Sequence, residues 1–298
     1  MATRPIAQGA RMLRRGRAEN FFGPSCWPFE QLHLAGERHL WLPRGGAPMI
    51  RYLKLVAALC LPLLLSGQIG PPPLLFPLAV FGASGGISTP TSLGSTIQTR
   101  NGLTTVALTT TAAIPAAAAV IVAAGNVTGT AVTVSSISDG TNTYTKAGGG
   151  AATASTDAEI WYKTNASAVG SGATITVTFS GALDTNAAYV AAFYVTSLSA
   201  VDKAPAVSST TSISTGTLAQ ATELIVGTMC GFLNASSPTY NEASGFTNLA
   251  SLNIAAGNHV SAGLGYQLVS STNSVTYNPT WTNAANQQST DVVSFKGP

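Results

Sequence analysis

Thr174-Ile175-Thr176-Val177-Thr178-Phe179 decides the fold. Ile175, Val177 and Phe179 fall at alternate positions and threonines at the others, so one face is apolar and the other hydroxylated. This is the pattern of a half-buried β-strand. Upstream, Glu159-Ile160-Trp161-Tyr162-Lys163 reads as another strand, joined to the first across the turn residues Gly170-Ser171-Gly172. Downstream, Tyr189 to Val195 is apolar enough for a central strand. Strands are also read at Thr104 to Thr109, Ala118 to Ala124, Ala131 to Ser135 and Asn142 to Thr145. Asp139-Gly140 supplies a turn between the last two. Glu223 to Cys230, His259 to Val269 and Val292 to Phe295 complete the set. Residues 112–119 are Ala-rich, but Pro115 interrupts any helix there. Short strands between polar turns, without alternating helical periods, predict an all-β fold. The expected form is an antiparallel, jelly-roll-like β-sandwich over residues 104–298.

Only 8% of the residues are charged, against about 25% in ordinary soluble domains. Nine of the 14 Lys and Arg lie in residues 1–54, with three of the 11 acids. Residues 55–298 carry 5 basic and 8 acidic groups, a net of −3, so the overall +3 belongs to the leader and nucleic-acid binding by the β domain is not expected. Residues 1–48 read as a basic, irregular leader. In residues 49–67, Arg51 and Lys54 precede the apolar run Leu55 to Leu65. This has the order of a secretory signal and is short for a membrane span. Three readings stay open: an export signal, a retained anchor making the only membrane contact, and a non-exported assembly arm. Residues 68–103 form a Pro/Gly-rich apolar arm whose Leu74, Leu75, Phe76 and Leu78 have no partners within it, so self-association is expected to bury them.

The segments Ser138 to Thr145, Ala158 to Tyr162, Ala173 to Phe179 and Ala221 to Gly227 resemble a poorly characterised Thr/Ser/Gly-rich β-sandwich module. It is found in bacterial secreted proteins and phage virion or tail-associated proteins. The resemblance covers residues 104–296 and implies a structural or adhesive role, with no catalytic residues to carry over.

The residues offer little chemistry of their own. His259 is the only histidine of the β domain, and pairing with Glu242 or Asp291 would make a general base, but no nucleophile motif accompanies it. Asp157 and Glu159 are read as a solvated strand margin, and Glu223 as a carboxylate at a strand mouth in water. Asp139 with Asn142 is too small a ligand set for calcium. Cys230 is expected to be a buried apolar residue, Trp161 a core residue, and Gly227 a point of tight packing or a bulge. Asn126, Asn165 and Asn234 each begin a glycosylation triplet, and such matches arise by chance in a Ser/Thr-rich chain. No catalytic residue, metal or cofactor is expected. Tyr240, Phe246, Tyr277 and Trp281 are the candidate ligand platform, since sugar binding needs exposed rings beside amides and hydroxyls. The expected function is a non-enzymatic module of a virion or extracellular surface assembly, self-associating through its arm. A secreted carbohydrate-binding or adhesive domain is the alternative.

Overall fold

The computed structural model describes residues 29–32, 40–43, 86–99, 102–127, 132–183, 187–196, 198–233, 238–254, 259–283 and 285–298. Two units divide the chain, Met1–Ala79 and Val80–Pro298. In the first, β1 (Phe29–Leu32) pairs antiparallel with β2 (Leu40–Pro43), which gives the expected irregular leader a short hairpin-like ladder. The signal-like segment 49–67 and the arm residues Leu74, Leu75, Phe76 and Leu78 lie outside the described residues.

The second unit is all-β, and every strand pairing in it is antiparallel. Its first half contains β3 (Thr91–Thr99), β4 (Leu103–Thr109), β5 (Ala119–Val127), β6 (Val134–Ser138), β7 (Thr145–Ala151), β8 (Thr156–Lys163), β9 (Thr174–Leu183) and β10 (Ala187–Val195). The second half contains β11 (Ala200–Lys203), β12 (Ile213–Ser214), β13 (Thr222–Phe232), β14 (Tyr240–Asn241), β15 (Thr247–Ile254), β16 (Val260–Ser270), β17 (Thr276–Tyr277), β18 (Thr280–Trp281) and β19 (Gln287–Lys296).

Topology exposes a duplication that the strand pattern had concealed. The first half forms a five-stranded sheet, β3-β10-β5-β8-β7, and a three-stranded sheet, β4-β9-β6. The second forms β11-β19-β13-β16-β15, with the ribbons β12-β17 and β14-β18. Numbering strands within each half, with β17 and β18 together as the seventh, gives one order twice: 1-8-3-6-5 in the large sheet and 2-7-4 in the small. This is jelly-roll connectivity with the fifth strand on the edge of the larger sheet. Asn278-Pro279 separates β17 from β18 because proline has no N–H for the ladder. The expected jelly-roll-like sandwich is thus present, and the strand order repeats it.

Register extends the correspondence to residues. Ala124 of β5 pairs with Val190 and Glu159, and Gly227 of β13 with Val292 and Gly265. Setting Ala124 against Gly227 matches Ile121 with Leu224, Ile160 with Tyr266, and Phe193 with Phe295. All six side chains lie in one core between the two five-stranded sheets. There β5 packs against β13, β8 against β19, and β10 against β16, the arrangement a pseudo-twofold axis produces.

The first half's large sheet is thus covered twice. Val120, Val122 and Ala124 face the small sheet, while Ile121, Ala123 and Val127 face the other half. Burial on both faces explains why β5 and β10 are almost uninterrupted apolar runs and not alternating ones. Alternation survives in β9, where Ile175, Val177 and Phe179 are buried beneath outward threonines, as its sequence predicts.

The boundary expected at residue 104 lies too late. β3 pairs with β10, Leu93 is fully buried, Ile87 packs against the shared core, and Ser88 Oγ accepts the Thr196 amide at 2.9 Å. Asp139-Gly140 makes the expected tight turn, with Gly140 at φ 84°, an antiparallel bridge between Ser138 and Thr143, and the Tyr144 amide donating to Ile137 O at 3.1 Å, but beyond it the chain arches from β6 in one sheet to β7 in the other. Each edge strand of the two large sheets carries one extra residue: Leu93 in β3, Ala147 in β7, Asp202 in β11 and Leu249 in β15. The interior pairings have none. Bulges confined to edges hinder further strand addition there.

Candidate functional site

The four aromatics expected to form a platform do meet. Tyr240 and Trp281 rings lie edge to face with centroids 6.0 Å apart, and those of Phe246 and Tyr277 are 4.9 Å apart. The Tyr240 and Tyr277 hydroxyls share a 2.7 Å hydrogen bond. Their setting corrects the expectation of exposed rings: Tyr277 is 0% and Tyr240 4% exposed, with Phe246 and Trp281 half-buried at the margins. The rings sit on a glycine window in the second large sheet. Tyr277 covers Gly227, Tyr240 covers Gly263, and Trp281 reaches Gly231. An aromatic ring can lie against a sheet only where no Cβ intervenes, so Gly227 is a tight-packing position. Trp281 Nε1 donates to Gln288 Oε1 at 2.6 Å. Tyr277 is core, in a small cluster with Ile213, Leu218, Ile225 and Val292 against which Phe246 packs, and Tyr240 is buried beside it.

The acids also depart from expectation. Asp157 is 1% exposed and Glu159 0%, because β8 is the strand covered on both faces and not a solvated margin. Both point toward the small sheet, as Trp161 does. Trp161 Nε1 donates to Glu159 Oε2 at 2.7 Å, the Val134 amide donates to Oε1 at 3.3 Å, and Lys146 Nζ lies 3.0 Å from Oε1. Asn126 Nδ2 donates to Val132 O at 2.8 Å and approaches Asp157 Oδ2 at 3.5 Å. Burial first, then the Glu159 charge, pushes the Asp157 carboxyl up to about 8, so it is protonated at neutral pH. Glu223, expected in water, is fully buried, and burial raises it above the ordinary carboxylate range.

Structure does not assemble the His259 dyads. His259 immediately precedes β16, whose Val260 pairs with Phe232. Asp291 pairs with Thr228, four residues along β13, a separation of about 13 Å at strand rise. The Glu242 carboxylate lies over Gly265, five residues beyond Val260 on β16. Asp139 is likewise occupied. It accepts the Thr141 and Asn142 amides at 2.9 and 2.6 Å, and Asn142 Nδ2 and the Tyr144 hydroxyl, each at 2.9 Å. Burial would raise its pKa, but these donors outweigh that and hold it below the ordinary value. Among the described residues no group of His, Cys, Asp and Glu is placed to hold a metal ion.

Cys230 is buried in the shared core, where desolvation raises its thiol. Trp161 is buried beside Tyr144, as expected. Of the glycosylation triplets, Asn126 is 1% exposed, Asn165 is exposed, and Asn234 lies outside the described residues.

The open surface is hydroxylated. On the outer face of the small sheet of the first half, Thr105, Thr178 and Ser136 form one cross-strand row. Ala107, Thr176 and Ser138 form the next, followed by Thr109 and Thr174. No charged side chain stands in these rows.

Sequence reasoning missed Asp291 as a feature of its own. It is enclosed between the halves, and neither carboxylate oxygen has a hydrogen-bond partner among the described residues. The Asp-Val-Val-Ser-Phe pattern of β19 marks it as an inward position, since Val293 and Phe295 share its parity. Comparison with protein-family models, curated proteins and solved structures finds no match to this chain.

Proposed function

We propose that the chain is a non-enzymatic structural module of a virion or extracellular surface assembly, self-associating through the arm in residues 68–85. The observation that supports this most is the shared core between two jelly rolls, which makes a rigid block from a nearly uncharged, hydroxyl-rich sequence. Bulged edges turn lateral strand addition aside, so contacts between copies fall to sheet faces and to the apolar arm. The resemblance to modules of secreted and virion-associated proteins points the same way. Carbohydrate binding or adhesion is the second reading, favoured only by Trp281 and Phe246, whose rings are half-buried at one end of the second half.

Sedimentation velocity of the full chain and of a variant lacking residues 68–85 tests the proposal. Ile87 and Ser88 are kept because they belong to the β unit. A full-length oligomer and a folded monomeric variant are expected; equal oligomers in both would overturn the arm's role.

A further inference from the structure

We infer that β7 is a pH-sensitive strap over Asp291, held closed in mild acid and released progressively toward neutral and alkaline pH. Asp291 projects from β19 into the seam between the halves and is 0% exposed. Among the described residues neither of its carboxylate oxygens has a hydrogen-bond partner of ordinary geometry. Its cover is the glycine run of β7: a Cβ built on Gly149 would lie 2.8 Å from Asp291 Oδ2, and one on Gly148 3.3 Å from it. The Gly149 Cβ would strike Ala158 O and Glu159 Cα of β8 first, and the Gly148 Cβ would lie 2.7 Å from Val293 Cγ2, so only glycine lets β7 lie this close over the carboxyl.

The strap is also the part of the seam best suited to open. β7 is an edge strand bonded to β8 alone, it carries a bulge at Ala147, and Gly149 and Gly150 have φ of 91° and 148°. Beside it, a hydroxyl row closes the seam. Ser289 Oγ meets Thr156 Oγ1 at 2.9 Å and accepts the Ala152 amide at 3.1 Å, and Thr153 Oγ1 donates to Gln287 Oε1 at 3.2 Å.

Among the described residues no cation pairs with Asp291 within the seam. Lys146, on β7 itself, is paired with Glu159 of β8, which with Asp157 points to the far face of that strand. β13 offers only Cys230 on the seam side. Its Glu223 lies at the far end of the strand, beside Asp202 and near Lys203 and Lys296. Tyr277 lies within electrostatic reach of Asp291 and Tyr189 bonds to Thr228, the strand partner of Asp291; burial raises both phenols, so they stay neutral. Burial, outweighing the Val292 amide and then the Lys146 charge, pushes Asp291 up to about 8. With β7 released, water would return the carboxyl to its ordinary range. The closed form thus binds a proton that the open form loses, and opening strengthens as pH rises between about 4 and 8, levelling off above.

Hydrogen exchange at the β7 amides, corrected for intrinsic pH dependence, measures this opening. In the full chain the opening constant should rise about tenfold per pH unit, hence about a hundredfold from pH 5 to pH 7. Asp291→Asn should abolish that slope, and Asp157→Asn should leave it in place. A slope unchanged by Asp291→Asn, or absent from the natural chain, overturns the inference. Should Asp291→Asn not fold, the carboxyl carbon shift of Asp291 in the natural chain decides: titration above pH 7 supports the strap, and titration near 4 refutes it.

Discussion

Replacing Gly227 with Ala tests the glycine window where it is tightest. A Cβ built there would lie 2.5 Å from both Tyr277 Cδ2 and Cε2 and 2.6 Å from Cγ. Tyr277 is fully exposed to no solvent, packs on Phe246, and is tied through its hydroxyl to Tyr240, so its ring has nowhere to swing. Overpacking of this kind costs about 1–3 kcal/mol. Loss of glycine's freedom in the unfolded chain offsets about 0.4–1 kcal/mol. A net destabilisation of about 1–2 kcal/mol follows, read as a lower urea midpoint at unchanged slope. Gly181→Ala is the control, since its Cβ would meet nothing nearer than Val132 Cγ2 at 3.9 Å, and it should be neutral or slightly stabilising. Combined with Tyr277→Ala, itself costing about 3–5 kcal/mol by analogy with other large-to-small aromatic changes, Gly227→Ala should lose its penalty. A Gly227→Ala midpoint equal to that of the natural chain, or a penalty that persists without the Tyr277 ring, refutes the reasoning.

Other outcomes follow from particular contacts. Tyr189→Phe removes a 2.9 Å hydrogen bond to Thr228 across the seam between the halves and should cost about 0.5–1.5 kcal/mol in urea unfolding. Asp139→Ala strips a carboxylate with four donors from the β6–β7 arch and should cost about 1–3 kcal/mol at pH 7. Its folded pKa is depressed, so the wild-type advantage exists above about 3.8 and disappears as pH falls through the folded value; an advantage that persists unchanged at pH 2 would contradict this. Asp157→Asn should gain stability relative to the natural chain between pH 5 and pH 8, by on the order of 2–4 kcal/mol. The buried acid must shed its raised pKa on unfolding, and parallel pH profiles of the two proteins would rule that out.

Much of the fold is legible in the residues. The alternation of Ile175, Val177 and Phe179, the apolar run of Tyr189 to Val195 and the interruption at Pro115 all correspond to what the chain does. What alternation cannot reveal is how many sheets cover a strand. The run Ala-Val-Ile-Val-Ala-Ala in β5 looks the same with one buried face or two, and the halves share topology while Ile121 corresponds to Leu224 and Ile160 to Tyr266, so no repeat is visible. The site was harder for the same reason. Asp157, Glu159, Glu223 and Asp291 carry residue types that favour water, and only the covering layers show that they are enclosed. Tyr240 and Tyr277 meet as their sequence grouping suggests, but the glycines that take them into the core lie on β13 and β16, far away in sequence.

The most direct test of the account is whether the two jelly rolls unfold as one body. Trp161 reports on the first half and Trp281 on the second, so single-tryptophan chains can be made by replacing Trp27, Trp41 and one of these two with Phe. Because the halves share the core containing Ile121, Phe193, Leu224 and Phe295, both reporters should give coincident urea transitions. Two separated transitions, with one tryptophan exposed while the other remains buried, would contradict a shared core.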